Sequence, residues 1–217
     1  MAIQCEVDNM ENAINQITIR GQLGTLPEFS HENHGLRFYR FLLDVPRLSG
    51  AVDHIPVVAP QSLLNPLDPT AGDTWEITGQ IRSHNSRLPG PKLLIFVFAR
   101  AIQLCQEEPD NQVRLSGAIC RLPIYRRTPL GREICDIMLA VPRTYHRSDY
   151  LPCILWGKLA REFRDCIPGD CLQLQGRFQS RAYQKSTDAG PEQRVAYEIS
   201  ALTAQRCEEE PSLYEAQ

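Results

Sequence analysis

The sequence has no apolar run long enough to cross a bilayer: the longest, Leu93 to Ala99, falls far short of the ~20 residues a spanning helix needs. It has no Cys-x-x-Cys pair, and the closest cysteines, Cys166 and Cys171, have no histidine at ligand spacing, so no metal site is expected. The eight cysteines are spread over 217 residues, a length that buries a core without cross-links, and they read as reduced thiols. His31, His34, His54, His84 and His146 form no triad or metal pattern, no glycine-rich phosphate loop occurs, and Cys120 and Cys153 have no identifiable base. Neither an enzyme nor a cofactor is therefore expected. Met1 to Ile14 carries three acids and no basic residue, so no signal peptide is expected, and the location expected is cytoplasmic. Nor is there an excess of positive charge: 23 Lys+Arg against 26 Asp+Glu give −3, which taken over the whole chain speaks against a nucleic-acid binder. With 42% hydrophobic and 23% charged residues, the composition is that of a soluble globular protein, long for one domain.

What the sequence does have is an internal repeat. A shift of 96 lays Asn15-Gln16 on Asn111-Gln112, Gly21 on Gly117, Leu26-Pro27 on Leu122-Pro123 and Gly35 on Gly131. The same register carries Val45-Pro46-Arg47 onto Val141-Pro142-Arg143, Asp53 onto Asp149 and Pro56 onto Pro152. One inserted residue later, Gly72-Asp73 meets Gly169-Asp170, Gly79 meets Gly176 and Ser83 meets Ser180. The chain therefore divides into an acidic leader (1–14), a first copy (15–104), an acidic linker (105–110), a second copy (111–206) and an acidic tail (207–217).

Within each copy the apolar period is two. Val113, Leu115, Gly117 and Ile119 alternate with polar neighbours, as do Cys135, Ile137, Leu139 and Val141, and then Leu172, Leu174, Gly176 and Phe178; a last strand is expected from about Val195 to Leu202. Gly157 to Ile167 reads as a helix stopped by Pro168-Gly169, whereas the first copy has the Pro-rich stretch Pro60 to Thr70 in its place. Five short strands with a helix between the third and fourth predict an all-β chain of two tandem oligonucleotide/oligosaccharide-binding (OB) barrels, the second carrying that helix.

Side-chain parity marks a face on the second copy. Leu151, Cys153 and Leu155 share one side of a strand, which leaves Tyr150 and Trp156 on the other, about 20 Å apart at ~3.3 Å per residue. On the next strand Gln175, Arg177, Gln179, Arg181 and Tyr183 lie opposite the apolar stripe. Guanidinium groups among exposed aromatic planes suit phosphates and unstacked bases. Single aromatics in strands are more often core, and Trp75, Tyr125 and Phe29 are assigned there; Tyr145 sits in a loop beside Arg143, His146 and Arg147. Charge partition agrees with this face. The second copy holds 15 Lys+Arg against 9 Asp+Glu, a net +6, and the first holds 8 against 7; the negative charge lies in leader, linker and tail.

Asn111-Gln-Val-Arg-Leu-Ser-Gly117, Thr128-Pro-Leu-Gly131, Trp156-Gly-Lys-Leu-Ala160, Gly169-Asp170 and Gly176-Arg-Phe-Gln-Ser-Arg-Ala-Tyr183, together with Pro123 and Arg126, resemble the bacterial single-stranded DNA-binding protein family. The first copy resembles it more weakly, through Asn15, Gly21, Pro27, Gly35, Gly72-Asp73 and Gly79. The resemblance implies base stacking by Tyr145, Tyr150, Trp156 and Tyr183, which the parity argument reaches separately for the last three. Phosphate contacts are assigned to Arg126, Arg143, Arg177 and Arg181. The first copy has Ser49, His54, Pro60 and Ser86 at the four aromatic places, which implies a structural or protein-contact role. The tail, Glu208 to Gln217, lacks the hydrophobic Pro-Phe tip by which the family recruits replication and repair enzymes. Family assemblies hold four barrels, so a homodimer is expected, with a monomer whose first copy caps the second as the alternative. The expected function is sequence-tolerant binding of single-stranded DNA in replication, recombination or repair, associated with the nucleoid. The competing reading is a primosome-type accessory or scaffold protein that uses the barrels for protein contacts.

Overall fold

The computed structural model describes residues 14–86, 92–145, 147–187 and 190–207. Strands β1 (Asn15–Leu23), β2 (Glu28–Asn33), β3 (Leu36–Pro46), β4 (Val52–Pro60), β5 (Thr74–Asn85) and β6 (Leu93–Leu104) are followed by β7 (Asp110–Ile119), β8 (Ile124–Arg127), β9 (Glu133–Arg143), β10 (Arg147–Trp156), β11 (Cys171–Thr187) and β12 (Gly190–Arg206). Among the described residues, two short helices, α1 (Gln61–Leu64) and α2 (Lys158–Phe163), follow β4 and β10. The Pro-rich stretch of the first copy, expected to lack a helix, thus holds a single turn, which tucks Leu64 into the core. In the second copy the helix stops at Phe163, short of the expected Ile167, and Pro168-Gly169 lies past its end.

Each copy closes into a ring of five strands. β1 pairs with β5 along one edge and with β3 at Gln22↔Asp44 and Leu23↔Leu43 along the other. β3 pairs with β4, β4 runs parallel to β6 at Val57↔Val97, and β6 returns to β5. The second copy repeats this order as β7, β9, β10, β12 and β11, with its parallel pair at Cys153↔Ile199. This is the all-β OB class. β2 and β8 lie outside the rings, each paired, among the described residues, only to the strand that follows it. Phe29 on β2 is 54% exposed instead of plugging the core. Tyr125 on β8 is half-buried, and its hydroxyl donates to Glu133 at 2.6 Å.

Strict alternation forms the strands and fills the rings. β1 buries Ile17, Ile19 and Leu23 at every second position, and these meet Leu43, Ile55, Ile77 and Val97 from the other strands. Trp75 is fully buried, as expected, with its ring edge-on to Phe41 at 5.3 Å. Burial raises the Cys153 thiol far above its ordinary value, the reverse of what a nucleophile requires.

The repeated glycines and asparagines have structural causes. β5 and β11 each bulge at a glycine, between Thr78 and Gly79 and between Gln175 and Gly176. A Cβ on Gly79 or Gly176 would collide with the carbonyl of Phe98 or Ser200, so only glycine fits where the strand bends. Beyond each glycine the strand runs past the end of its ladder with β1 or β7, and on that side an asparagine amide takes the partner's place. Asn15 accepts from the Ile81 N–H at 2.9 Å and donates to its carbonyl at 2.8 Å. Asn111 does the same to Phe178, at 2.9 and 2.7 Å.

The two rings are joined across a pseudo-twofold axis. β1 pairs antiparallel with β7 from Asn15↔Leu115 to Arg20↔Asp110, centred on the repeat mates Ile17 and Val113. On both sides of that seam a buried aspartate reaches into the other copy. Asp53 accepts from Arg47 of its own copy at 2.5 and 2.6 Å and from the N–H and hydroxyl of Ser180 in the second at 2.6 and 2.8 Å. Asp149 accepts from Arg143 of its own copy at 3.3 Å and from Arg82 and the Ser83 N–H of the first at 3.0 and 2.7 Å. The linker adds a clamp, for Arg20 pairs with Glu76, Glu107 and Asp110.

One expectation about the cysteines is overturned. Cys171 and Cys207 form a disulfide, their Cα atoms 5.3 Å apart. The register Leu172↔Arg206 sets the start of β11 opposite the end of β12, a proximity that 36 residues of separation conceal in the sequence.

The latch makes two predictions. Asp149→Ala leaves Arg82, Arg143 and a strand N–H without their carboxylate, and breaking such a buried pair costs about 3 kcal/mol; urea unfolding measures it, and a loss under about 0.5 kcal/mol contradicts the role. Burial alone would raise the Asp53 carboxyl, but the Arg47 and Ser180 hydrogen bonds outweigh it and hold it below the ordinary value. Its contribution is complete above the unfolded carboxyl value of about 3.9 and disappears as the pH falls through the lower folded one. Asp53→Asn should therefore flatten the loss of thermal stability below about pH 4, and an unchanged acid limb would count against this.

Candidate nucleic-acid interface

Directly paired residues on neighbouring strands share a face of the sheet, so the register composes the outer surface of the second barrel. On β10, Tyr150, Pro152, Ile154 and Trp156 stand opposite Ala140, Met138, Asp136 and Ile134 of β9. Arg126 of β8 also opposes Ile134, which sets it in the same row as Trp156. On the other side Ile154 neighbours Ser200 of β12, and Ser200, Glu198, Ala196 and Arg194 oppose Arg177, Gln179, Arg181 and Tyr183 of β11. Tyr150, Trp156, Tyr183, Arg126, Arg177 and Arg181 thus lie on one continuous outer face. The alternating residues Leu151, Leu155, Leu139, Phe178 and Ile199 are buried beneath it.

The aromatics are held with different degrees of constraint. Trp156 donates its indole N–H to the Ser200 hydroxyl at 3.0 Å, which fixes the ring while 37% of the residue stays exposed. Arg181 lies over the Tyr183 ring at 5.8 Å from its centre. Tyr150 is positioned from the first barrel, because its N–H donates to the Ser83 hydroxyl at 2.8 Å. Tyr145 stands apart from these three, in the turn between β9 and β10, 87% exposed and with a φ of 62°.

Not all four arginines are equally available. Arg126 pairs with Asp136 at 2.8 Å and Arg181 with Glu198 at 3.3 Å, both on the same face. Arg143 lies at the rim and reaches back to Asp149. Only Arg177 of the four is exposed with no acidic partner among the described residues. Sequence reasoning missed the carboxylates, because Asp136 and Glu198 lie on other strands and only the register brings them alongside. It also missed Arg194, directly across from Tyr183, and Ser200, which orients Trp156.

Residues 110–207 match the model of the Single-strand binding protein family. The chain is 33% identical over 81 residues to single-stranded DNA-binding protein B of Bacillus subtilis (strain 168), a stretch covering 34% of this chain and 72% of that relative. It is 30% identical over 83 residues to the single-stranded DNA-binding protein of Halalkalibacterium halodurans, covering 35% and 49% respectively. The crystal structure of the wild-type single-stranded DNA binding protein from Thermus aquaticus superposes with a TM-score of 0.77 at 22% identity, over 94% of this chain and 97% of that one. The fold is therefore shared across both copies, and the sequence likeness is concentrated in the second. By that likeness the chain belongs to the single-strand binding protein family.

Proposed function

We propose that the chain binds single-stranded DNA with little sequence preference, through the outer face of its second barrel. The observation that carries this reading is the shared surface of Tyr150, Trp156 and Tyr183, with arginines beside them on β8 and β11. Aromatic planes accept any base, because every base has a π-face, and each stacked base contributes ~1–3 kcal/mol. Arg177 meets phosphate directly. Arg126 and Arg181 exchange a surface carboxylate for phosphate, a smaller electrostatic gain, so stacking carries more of the affinity than the net charge of the second copy suggests. Arg143, tied to Asp149, guides the strand at the rim beside Tyr145. The first barrel supports this face through the Asp53 and Asp149 latches. Such a protein acts where duplexes are opened, in replication, recombination or repair.

The protein associates further into a homodimer with four barrels. β2 and β8 are the two edges of the twelve-stranded sheet, and their free backbone groups are where a second copy adds on. Sedimentation at micromolar concentration should show twice 24.6 kDa; a 24.6 kDa particle favours the monomer.

Tryptophan fluorescence tests the binding face. Trp75 is sealed in the core and Trp156 is exposed, so an oligo-dT titration should quench only part of the emission. Trp156→Ala should abolish that quenching and weaken binding about tenfold, the equivalent of one lost stacking contact; unchanged affinity would overturn the assignment.

A further inference from the structure

We infer that the first barrel carries a second base-stacking surface, built on phenylalanines outside the four aromatic places, and that one single strand runs onto it from the second barrel. This rests on the binding reading above. The four expected places hold Ser49, His54, Pro60 and Ser86, but the register assembles other aromatics on the outer face. Phe38 of β3 opposes Pro60 and lies 5.9 Å from Phe98 of β6, centre to centre, and His31 stacks parallel on Phe38 at 4.9 Å. Phe98 and Phe96 oppose Gln80 and Arg82 of β5. The three phenylalanine rings are half-buried, while the alternating Phe41 and Val97 are fully buried.

The phenylalanines line a groove of about 1360 Å³ between the two barrels, whose far wall includes Pro152, Tyr183 and Ala196. Tyr183 therefore belongs to both surfaces, and the face of the second barrel continues into the groove. Seven lysines and arginines line it; of these Arg40 pairs with Glu28, Arg82 and Arg143 with the buried Asp149, and Arg194 with Glu192. Lys92 and Arg147 have no acidic partner among the described residues. A concave surface with planar rings on its floor and unpaired cations at Lys92 and Arg147 on its walls fits a polyanion that carries flat apolar groups. An apolar peptide would leave the cations unmatched, and an acidic one would leave the rings uncovered.

The test compares oligo-dT of about 8 nucleotides, within the span of one barrel, with oligo-dT of about 35, long enough for both. In the full chain, Phe38→Ala/Phe98→Ala should leave the short oligomer's affinity and its Trp156 quenching unchanged, weaken the long one about tenfold or more, and shorten the occluded length. Lys92→Glu, at an exposed position, should act the same way and decides the matter if the double variant fails to fold. Equal affinity and site size for the long oligomer in the folded variants would overturn the inference while leaving the second barrel's role intact. If a glutamate-rich peptide competes for the groove and long dT does not, the groove serves a protein and the inference also fails. Loss of Trp156-dependent binding to both lengths in the unaltered chain would instead sink the underlying reading.

Discussion

Two aspartates, repeat mates at 53 and 149, sit buried on opposite sides of the seam between the barrels, and each accepts hydrogen bonds from both copies. A carboxylate taken out of water must be matched by donors within hydrogen-bonding reach. Here one donor is an arginine of the same barrel and the others come from the opposite one. Neither barrel alone satisfies its own aspartate. The requirement is reciprocal, so it fixes the orientation of one ring against the other along with the β1–β7 pairing, whose register is centred on Ile17 and Val113. A chain with two rings on a short linker thereby behaves as a dimer folded from one polypeptide.

That constraint shapes the proposed binding surface. Asp149 lies next to Tyr150, and the same Ser83 that donates its N–H to Asp149 receives the Tyr150 N–H on its hydroxyl. The first barrel thus sets the position of an aromatic on the second. The latch also draws Arg82 and Arg143 to the junction, where they line the groove between the barrels while remaining tied to Asp149. Asp53, Arg47 and Ser83 of the first copy all serve this junction, although its four aromatic places hold no aromatic stacking residue.

Much of this was legible in the residues. Period-two alternation located the strands, and parity placed Tyr150, Trp156 and Tyr183 together because the inward face of each strand is continuously apolar. The repeat marked Asn15, Gly79, Asp53 and Ser83 together with their mates, without revealing that the first two shape a bulge and the last two face the opposite barrel. What lay beyond a single strand was hidden. The ion pairs Arg126–Asp136 and Arg181–Glu198, the disulfide between Cys171 and Cys207, and the cluster of Phe38 with Phe98 all depend on which strands become neighbours. Phe29 misled for the same reason, since its pattern resembles that of a ring strand while β2 lies outside the ring.

On the proposed reading, single-stranded DNA lies on the outer face of β10 and β11, on a barrel that the first copy orients. Photo-cross-linking of 5-iodouracil-substituted oligo-dT to the full chain, followed by peptide mapping, addresses it directly. Adducts should form at Tyr150, Trp156 or Tyr183 and be suppressed by unlabelled oligo-dT. Adducts absent from residues 147–187, at a protein concentration where binding is complete, would contradict it.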